Sequence, residues 1–124
     1  MPGPEIRQAD RNITFLEQLE ADVGPVVLVN VFYVDPANAD AALECYERDA
    51  AFMKTQPGFI SAQMHRGIAG SSVFVNYAVW ESAAALKVAR AKPEFRALVD
   101  RFPEDLTAMP VLLQKIALPN VCVA

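Results

Sequence analysis

"SSVFVNYAVWES", residues 71–82, decides the fold and raises the question of function at the same point. Val73, Phe74, Val75, Tyr77, Ala78 and Val79 have the composition of a β-strand. Asn76 interrupts them with a polar amide, and four residues later comes Trp80, the only tryptophan in the chain. Strand side chains alternate, so Phe74, Asn76, Ala78 and Trp80 share one face and Val73, Val75, Tyr77 and Val79 the other. Burying an unsatisfied amide costs about 1–3 kcal/mol, so Asn76 requires a partner. Taken singly, an Asn satisfied by backbone and a Trp in the core explain themselves. The pair, roughly 13 Å apart along one strand face, also suits the two ends of a flat molecule.

Outward from this strand the elements fall into order. "FISAQMHR", residues 59–66, is the preceding strand, joined through the hairpin turn "GIAGSS". Before it, "DPANADAALECYERDAAFMKTQPG" is a helix with Asp35-Pro36 at its start and Pro57-Gly58 at its end, and Leu43, Tyr46, Ala50 and Met53 form one apolar stripe. "VVLVNVFYV", residues 26–34, is a strand that carries Leu28, Asn30 and Phe32 on one face. After the central strand, Ser82 caps a helix interrupted at Pro93, and Phe95, Leu98, Val99 and Phe102 continue a helical face. "VLLQKIAL", 111–118, is the last strand, beyond the punctuation of Pro103 and Pro110. The order strand, helix, strand, strand, helix, strand is the split βαβ, or ferredoxin-like, arrangement: an α+β fold with an antiparallel sheet and both helices on one face.

At the N-terminus, 1–12 reads as a loose lead-in. "TFLE", 14–17, has the form of a capping box that opens a short helix to about residue 22, lined by Phe15, Leu16 and Leu19. The expected organisation is a lead-in over 1–24, the α+β domain over 25–118 and a tail over 119–124. Both central strands are apolar on both faces, although helices cover only one. A second copy of the chain is the simplest cover for the other, which predicts a homodimer packed sheet against sheet.

Composition narrows the classes of function. The chain has 124 residues, 53% of them hydrophobic, with a net charge of −4 and no Lys/Arg cluster, so nucleic acid is not an expected partner. No apolar run reaches the roughly 20 residues of a membrane span, and the N-terminus lacks a signal-peptide core, so a cytoplasmic protein is expected. Cys45 and Cys122 stand in no metal or redox spacing and are expected as free thiols. The single histidine, His65, leaves no multi-histidine metal site within one chain.

"QPGFISAQMHRG", 56–67, followed by "VFVNYAVWES", 73–82, resembles the antibiotic biosynthesis monooxygenase family, and within it the small quinone-forming monooxygenases of aromatic polyketide pathways. The resemblance implies a dimeric α+β barrel and the oxidation by O2 of an anthrone-type phenol to a quinone, with no metal, flavin or haem. It also implies catalytic roles for Asn76 and Trp80, and it brings His65 into consideration. Asn and Trp offer hydrogen-bond donors rather than a base, and donors aimed at a ring oxygen stabilise an enolate. Phe32, Phe59, Met64 and Phe74 are candidate walls for a flat aromatic substrate, with Asn30 beside them. The chain departs from the family in two places. Leu86 stands where those enzymes carry an active-site Tyr, and their basic helix residue has no unambiguous match, with Arg96 and Arg101 as the candidates. The proton acceptor is therefore open. A lone histidine at a strand end is commonly surface.

Two other functions fit parts of the pattern. The haem-degrading branch of the superfamily also pairs a first-strand Asn with a third-strand Trp, as Asn30 and Trp80 do, but it needs a histidine on a helix. A non-enzymatic dimeric binder of small aromatics would keep the pocket and lack the chemistry.

Overall fold

The computed structural model describes residues 4–124. Its centre is the antiparallel pair β2 (Val26–Tyr33) and β4 (Val73–Trp80), in register from Val26 opposite Trp80 to Tyr33 opposite Val73. β3 (Phe59–Arg66) lies outside β4, and β5 (Thr107–Leu113) lies outside β2. A two-residue strand, β1 (Glu5–Ile6), adds itself parallel to the outer edge of β5, giving the order β1-β5-β2-β4-β3 and a mixed sheet. The helices α2 (Ala39–Met53), α3 (Ala83–Arg90) and α4 (Pro93–Val99) supply the cover for one face. Leu28, Phe32, Phe74, Ala78 and Trp80 are buried beneath them, while Tyr33 and Tyr77 on the other face are exposed. The ferredoxin-like α+β arrangement expected from the strand and helix order is thus present.

The start signals act as the sequence implies. Asp35 Oδ1 accepts from Ala37 N at 2.9 Å and opens a 3-10 turn, Pro36–Asn38, that leads into α2. Ser82 Oγ accepts from Ala85 N at 3.0 Å at the start of α3. Pro93 divides the second helical region because proline fits a first helical position and no later one.

Four local expectations are corrected. The last strand runs over Thr107–Leu113, not 111–118, and passes through Pro110. The outward-facing groups of β5 explain this. Leu106 and Ala108 accept from Glu5 N and Arg7 N, and Leu112 exchanges hydrogen bonds with the Gln18 side chain at 2.9 and 3.0 Å. Pro110 falls on the same outward side between these contacts, where its missing N–H costs no bond to β2. The N-terminal residues from Glu5 onward are accordingly an edge cover rather than a loose lead-in.

The first helix, α1 (Phe15–Gln18), has the full capping box of Thr14 and Glu17 but only one turn. Phe15 and Leu19 point inward, whereas Leu16 is 64% exposed, because one turn offers a single inner side.

In β3, Phe59 pairs with Trp80 and Ser61 with Val79, so Ile60 is a bulged extra residue. The bulge reverses the alternation expected for Phe59. Phe59, Ala62 and Met64 face the helices, and His65 lies on the opposite side with Ser61 and Gln63.

Gly58 enters this bulge at φ +88°, and a Cβ there would stand 2.5 Å from the Ala85 Cβ at the start of α3. Gly58→Ala is expected to destabilise the protein by about 1–3 kcal/mol from backbone strain alone. The check is the urea midpoint at unchanged slope.

Candidate active site

Asn30 and Asn76 are register partners on the central strand pair, so two amides stand side by side on the helix-covered face. α2 brings Tyr46 and Asp49 over them, and α3 brings Leu86 and Arg90; all six residues line one cavity. The Tyr46 hydroxyl donates to Asn76 Oδ1 at 2.9 Å. With that oxygen committed, Asn76 can offer an occupant its Nδ2 donors. Trp80 closes the end of the cavity, with Phe59 edge-on to it at 5.5 Å between ring centroids.

The enclosed space is about 60 Å³, the share of roughly two water molecules in the liquid. Pockets that hold drug-sized ligands run to about 300–1,000 Å³, so the enclosed part alone takes no polycyclic molecule. It adjoins an open groove of about 690 Å³ between α2 and β3, and Tyr46, Ala50, Phe59 and Ala62 belong to both. Two alanine methyl groups thus stand at the boundary between the inner cavity and the groove.

The residues singled out in the sequence separate into two groups. Asn30, Phe32, Phe59, Asn76, Trp80 and Leu86 meet at the inner cavity. Phe32 also stacks on Phe102 at 6.3 Å. Met64 lines the outer groove instead. Phe74 is 1% exposed in a separate core cluster with Val34 and Leu106, and Arg66 lies over its ring at 5.0 Å. Arg96 lines a surface depression on the other side of Phe95. His65 is exposed, with Nδ1 3.2 Å from the Val75 carbonyl, because its pairing with Val75 places it on the uncovered sheet face. No helix carries a histidine toward the cavity, as a haem site of the related branch would need. Cys45 and Cys122 are both free thiols.

Three charged or polar groups at the cavity were not anticipated: Tyr46 as the partner of Asn76, Asp49 and Arg90. Asp49 carried a signal, since it stands three residues after Tyr46 and four before Met53, inside the apolar stripe of α2. Arg90 follows Leu86 by four residues, one turn further along the same face.

The electrostatics of these groups are unusual. Asp49 Oδ1 and Asn30 Oδ1 are buried without a hydrogen-bond partner among the described residues. Burial pushes the Asp49 carboxyl up to about 7, and the Arg90 charge partly opposes the rise. Burial lowers the Arg90 pKa, the neighbouring Arg96 adds to this, and Asp49 acts against both. Burial raises the Tyr46 pKa, and Asp49 raises it further. Arg90 also lies over the Phe15 ring at 4.9 Å and the Phe95 ring at 5.6 Å.

The Asp49 shift fixes a sign for stability against pH. Between the ordinary carboxyl value of 3.8 and about 7, the unfolded chain releases a proton that the folded chain keeps. The unfolded state is therefore favoured increasingly as pH rises through that window, by up to about 1.4 kcal/mol per pH unit. Above about 7 the loss is complete. We expect urea stability to fall from about pH 4 to about pH 7, with Asp49→Asn flattening that decline.

Fold and site together define a small α+β domain with an aromatic cavity between sheet and helices, floored by paired amides. Residues 25–101 match the antibiotic biosynthesis monooxygenase family, and the chain belongs to that family. Among solved structures it is similar to SnoaB, a cofactor-independent oxygenase from Streptomyces nogalater, at 28% identity and a TM-score of 0.67, over 79% of this chain and 99% of that one. A candidate monooxygenase from Shewanella loihica shares 34% identity at a TM-score of 0.64, with the same coverage. A Caulobacter crescentus protein with 22% identity and a TM-score of 0.69 shares the fold. No curated protein sequence matches. No described helix is long and apolar enough to cross a membrane.

Proposed function

We propose that the protein is a cofactor-independent monooxygenase that oxidises a phenolic, anthrone-type aromatic to a quinone with O2. The observation that carries this is the Asn76 amide, held by Tyr46 so that its donors are free for a substrate oxygen inside an apolar cavity. Such donors stabilise the enolate left when the ring methylene loses a proton. An electron-rich enolate passes an electron to O2, and recombination forms the new C–O bond. The overall change is a CH2 group and O2 becoming C=O and H2O. The reacting ring occupies the inner cavity once side chains at its boundary yield, and the remaining rings lie past Ala50 and Ala62 in the groove. Family membership and the likeness to SnoaB support the oxygenase class.

The working form in this proposal is a homodimer. Tyr33, Tyr77 and Leu113 are 55%, 43% and 44% exposed on the uncovered sheet face, which a second copy would bury. His65, on that face, has no part in the proposed chemistry.

The test is O2 uptake and quinone absorbance with a hydroxylated anthrone, in chelator and without added flavin. Saturable turnover above the spontaneous rate is the expected result. Saturable binding without turnover, across hydroxylated anthrones and smaller phenols, would overturn the oxygenase and leave a binder of small aromatics.

A further inference from the structure

We propose that Asp49 is the catalytic base of the cavity, its unpartnered Oδ1 taking the proton of a substrate held by the Asn76 amide. This rests on the oxygenase function proposed above and names the group that function lacks.

The cavity itself excludes the other lining groups. Tyr46 is committed to Asn76 and Arg90 is a cation, so Asp49 is the one lining side chain able to accept a proton near neutral pH. The exposed His65 lies on the far side of the sheet. Asp49 is also not consumed by a structural role. Among the described residues it closes no ion pair with Arg90, whose guanidinium packs over the Phe15 and Phe95 rings instead. A carboxylate buried only to balance a neighbouring arginine would be expected to bond it directly, because the low dielectric penalises both charges when apart.

The unpartnered atoms also describe the ligand. Asn30 Oδ1 and Asp49 Oδ1 are two buried acceptors, and Asn76 offers donors beside them. Their complement is a molecule with at least one O–H or acidic C–H and one ketonic oxygen close together. A hydroxylated aryl ketone with an activated methylene meets both demands.

The charged and titratable groups facing Asp49 are Tyr46 from its own helix and Arg90 from α3, with Arg96 of α4 acting on Arg90. Asn30 and Asn76, facing it from the sheet, are neutral. A carboxyl near 7 in these surroundings suits a base that must both accept and return a proton.

The steps balance. A methylene C–H bond breaks, its electron pair stays on the ring as the enolate, and an O–H bond forms on Asp49. After the enolate has combined with O2, the peroxide anion takes that proton back. The Asp49 carboxylate then removes the second methylene proton as the O–O bond breaks. The departing hydroxide takes the proton from Asp49 and leaves as water, and the carbonyl remains.

The first half of this sequence needs no oxygen and can be measured alone. The wild-type protein under argon in D2O is expected to exchange the methylene protons of a hydroxylated anthrone faster than buffer does, followed by NMR. Asp49→Asn, nearly isosteric, is expected to slow that exchange by about 10²–10⁴-fold. It should also remove the limb of the kcat/KM profile that rises toward about pH 7. Formate is expected to restore exchange to Asp49→Ala in a saturable manner, which a merely structural role would not produce. Exchange by Asp49→Asn at the wild-type rate, or no wild-type exchange above buffer, would overturn the assignment. Exchange that requires Asp49 but leads to no O2 uptake in air would instead overturn the oxygenase function and leave the base in place. O2 uptake that survives Asp49→Asn would do the reverse.

Discussion

Asn76→Ala is expected to lower kcat for oxidation of a hydroxylated anthrone by about 10²–10³, the usual cost of deleting one preorganised donor to a developing oxyanion. The effect should fall on kcat more than on KM, because the negative charge on the substrate oxygen grows only as the proton leaves. The protein should stay folded, at a moderate cost in stability. Asn76 is half-buried, and its loss deprives the Tyr46 hydroxyl of its acceptor at 2.9 Å, a cost of about 1–3 kcal/mol. Steady-state O2 uptake beside a thermal melt separates the two contributions. A variant that unfolds in buffer would make the amide structural, and a variant that turns over normally would remove it from the chemistry. Tyr46→Phe is a milder companion. It frees Asn76 Oδ1 and lets the amide rotate, so kcat should fall by less than in Asn76→Ala.

Trp80→Ala is expected to have the largest effect on stability of any substitution at the cavity. The indole is 1% exposed, among the most buried large side chains in the protein, and packs in the cluster that holds Leu28, Ala78, Ala83 and Leu86. Truncating a buried tryptophan to alanine costs about 3–5 kcal/mol through lost transfer energy and the cavity left behind. For a domain of this size the melting temperature should drop by roughly 10–20 °C. Phe59 loses the ring it meets edge-on at 5.5 Å, so the bulged start of β3 should loosen as well. Trp80→Phe retains most of the volume and lets activity be read in a folded protein. If its kcat is normal, the indole N–H is not required and Trp80 is a wall. If kcat falls while the melt is unchanged, the indole contributes as a donor.

The parts of this protein that follow from local geometry were legible in its sequence. Alternation placed Asn76 with Trp80 along 73–80 and Asn30 with Phe32 along 26–33, and the register then brings the two pairs to one face with Asn30 opposite Asn76. The caps at Asp35 and Ser82 and the break at Pro93 also act through their own immediate backbone. These features needed only the two-residue period of a strand and the residue types at helix ends.

Other features depended on contacts that no local pattern encodes. The bulge at Ile60 turned Phe59 to the face opposite Ser61, Gln63 and His65, so that Phe59 entered the cavity. β1, only two residues long, is too short to show a period, yet with Gln18 it makes Pro110 acceptable inside a strand. Asp49 stood visibly in the apolar stripe of α2, and Arg90 lay one turn beyond Leu86. A helical stripe states which residues share a side, but not what that side will face. Only the packing of α2 and α3 over the paired amides of β2 and β4 brought a carboxyl, a guanidinium and two asparagines around one small cavity. There the exclusion of water, a property of the assembled layers rather than of any segment, pushes the Asp49 carboxyl up to about 7.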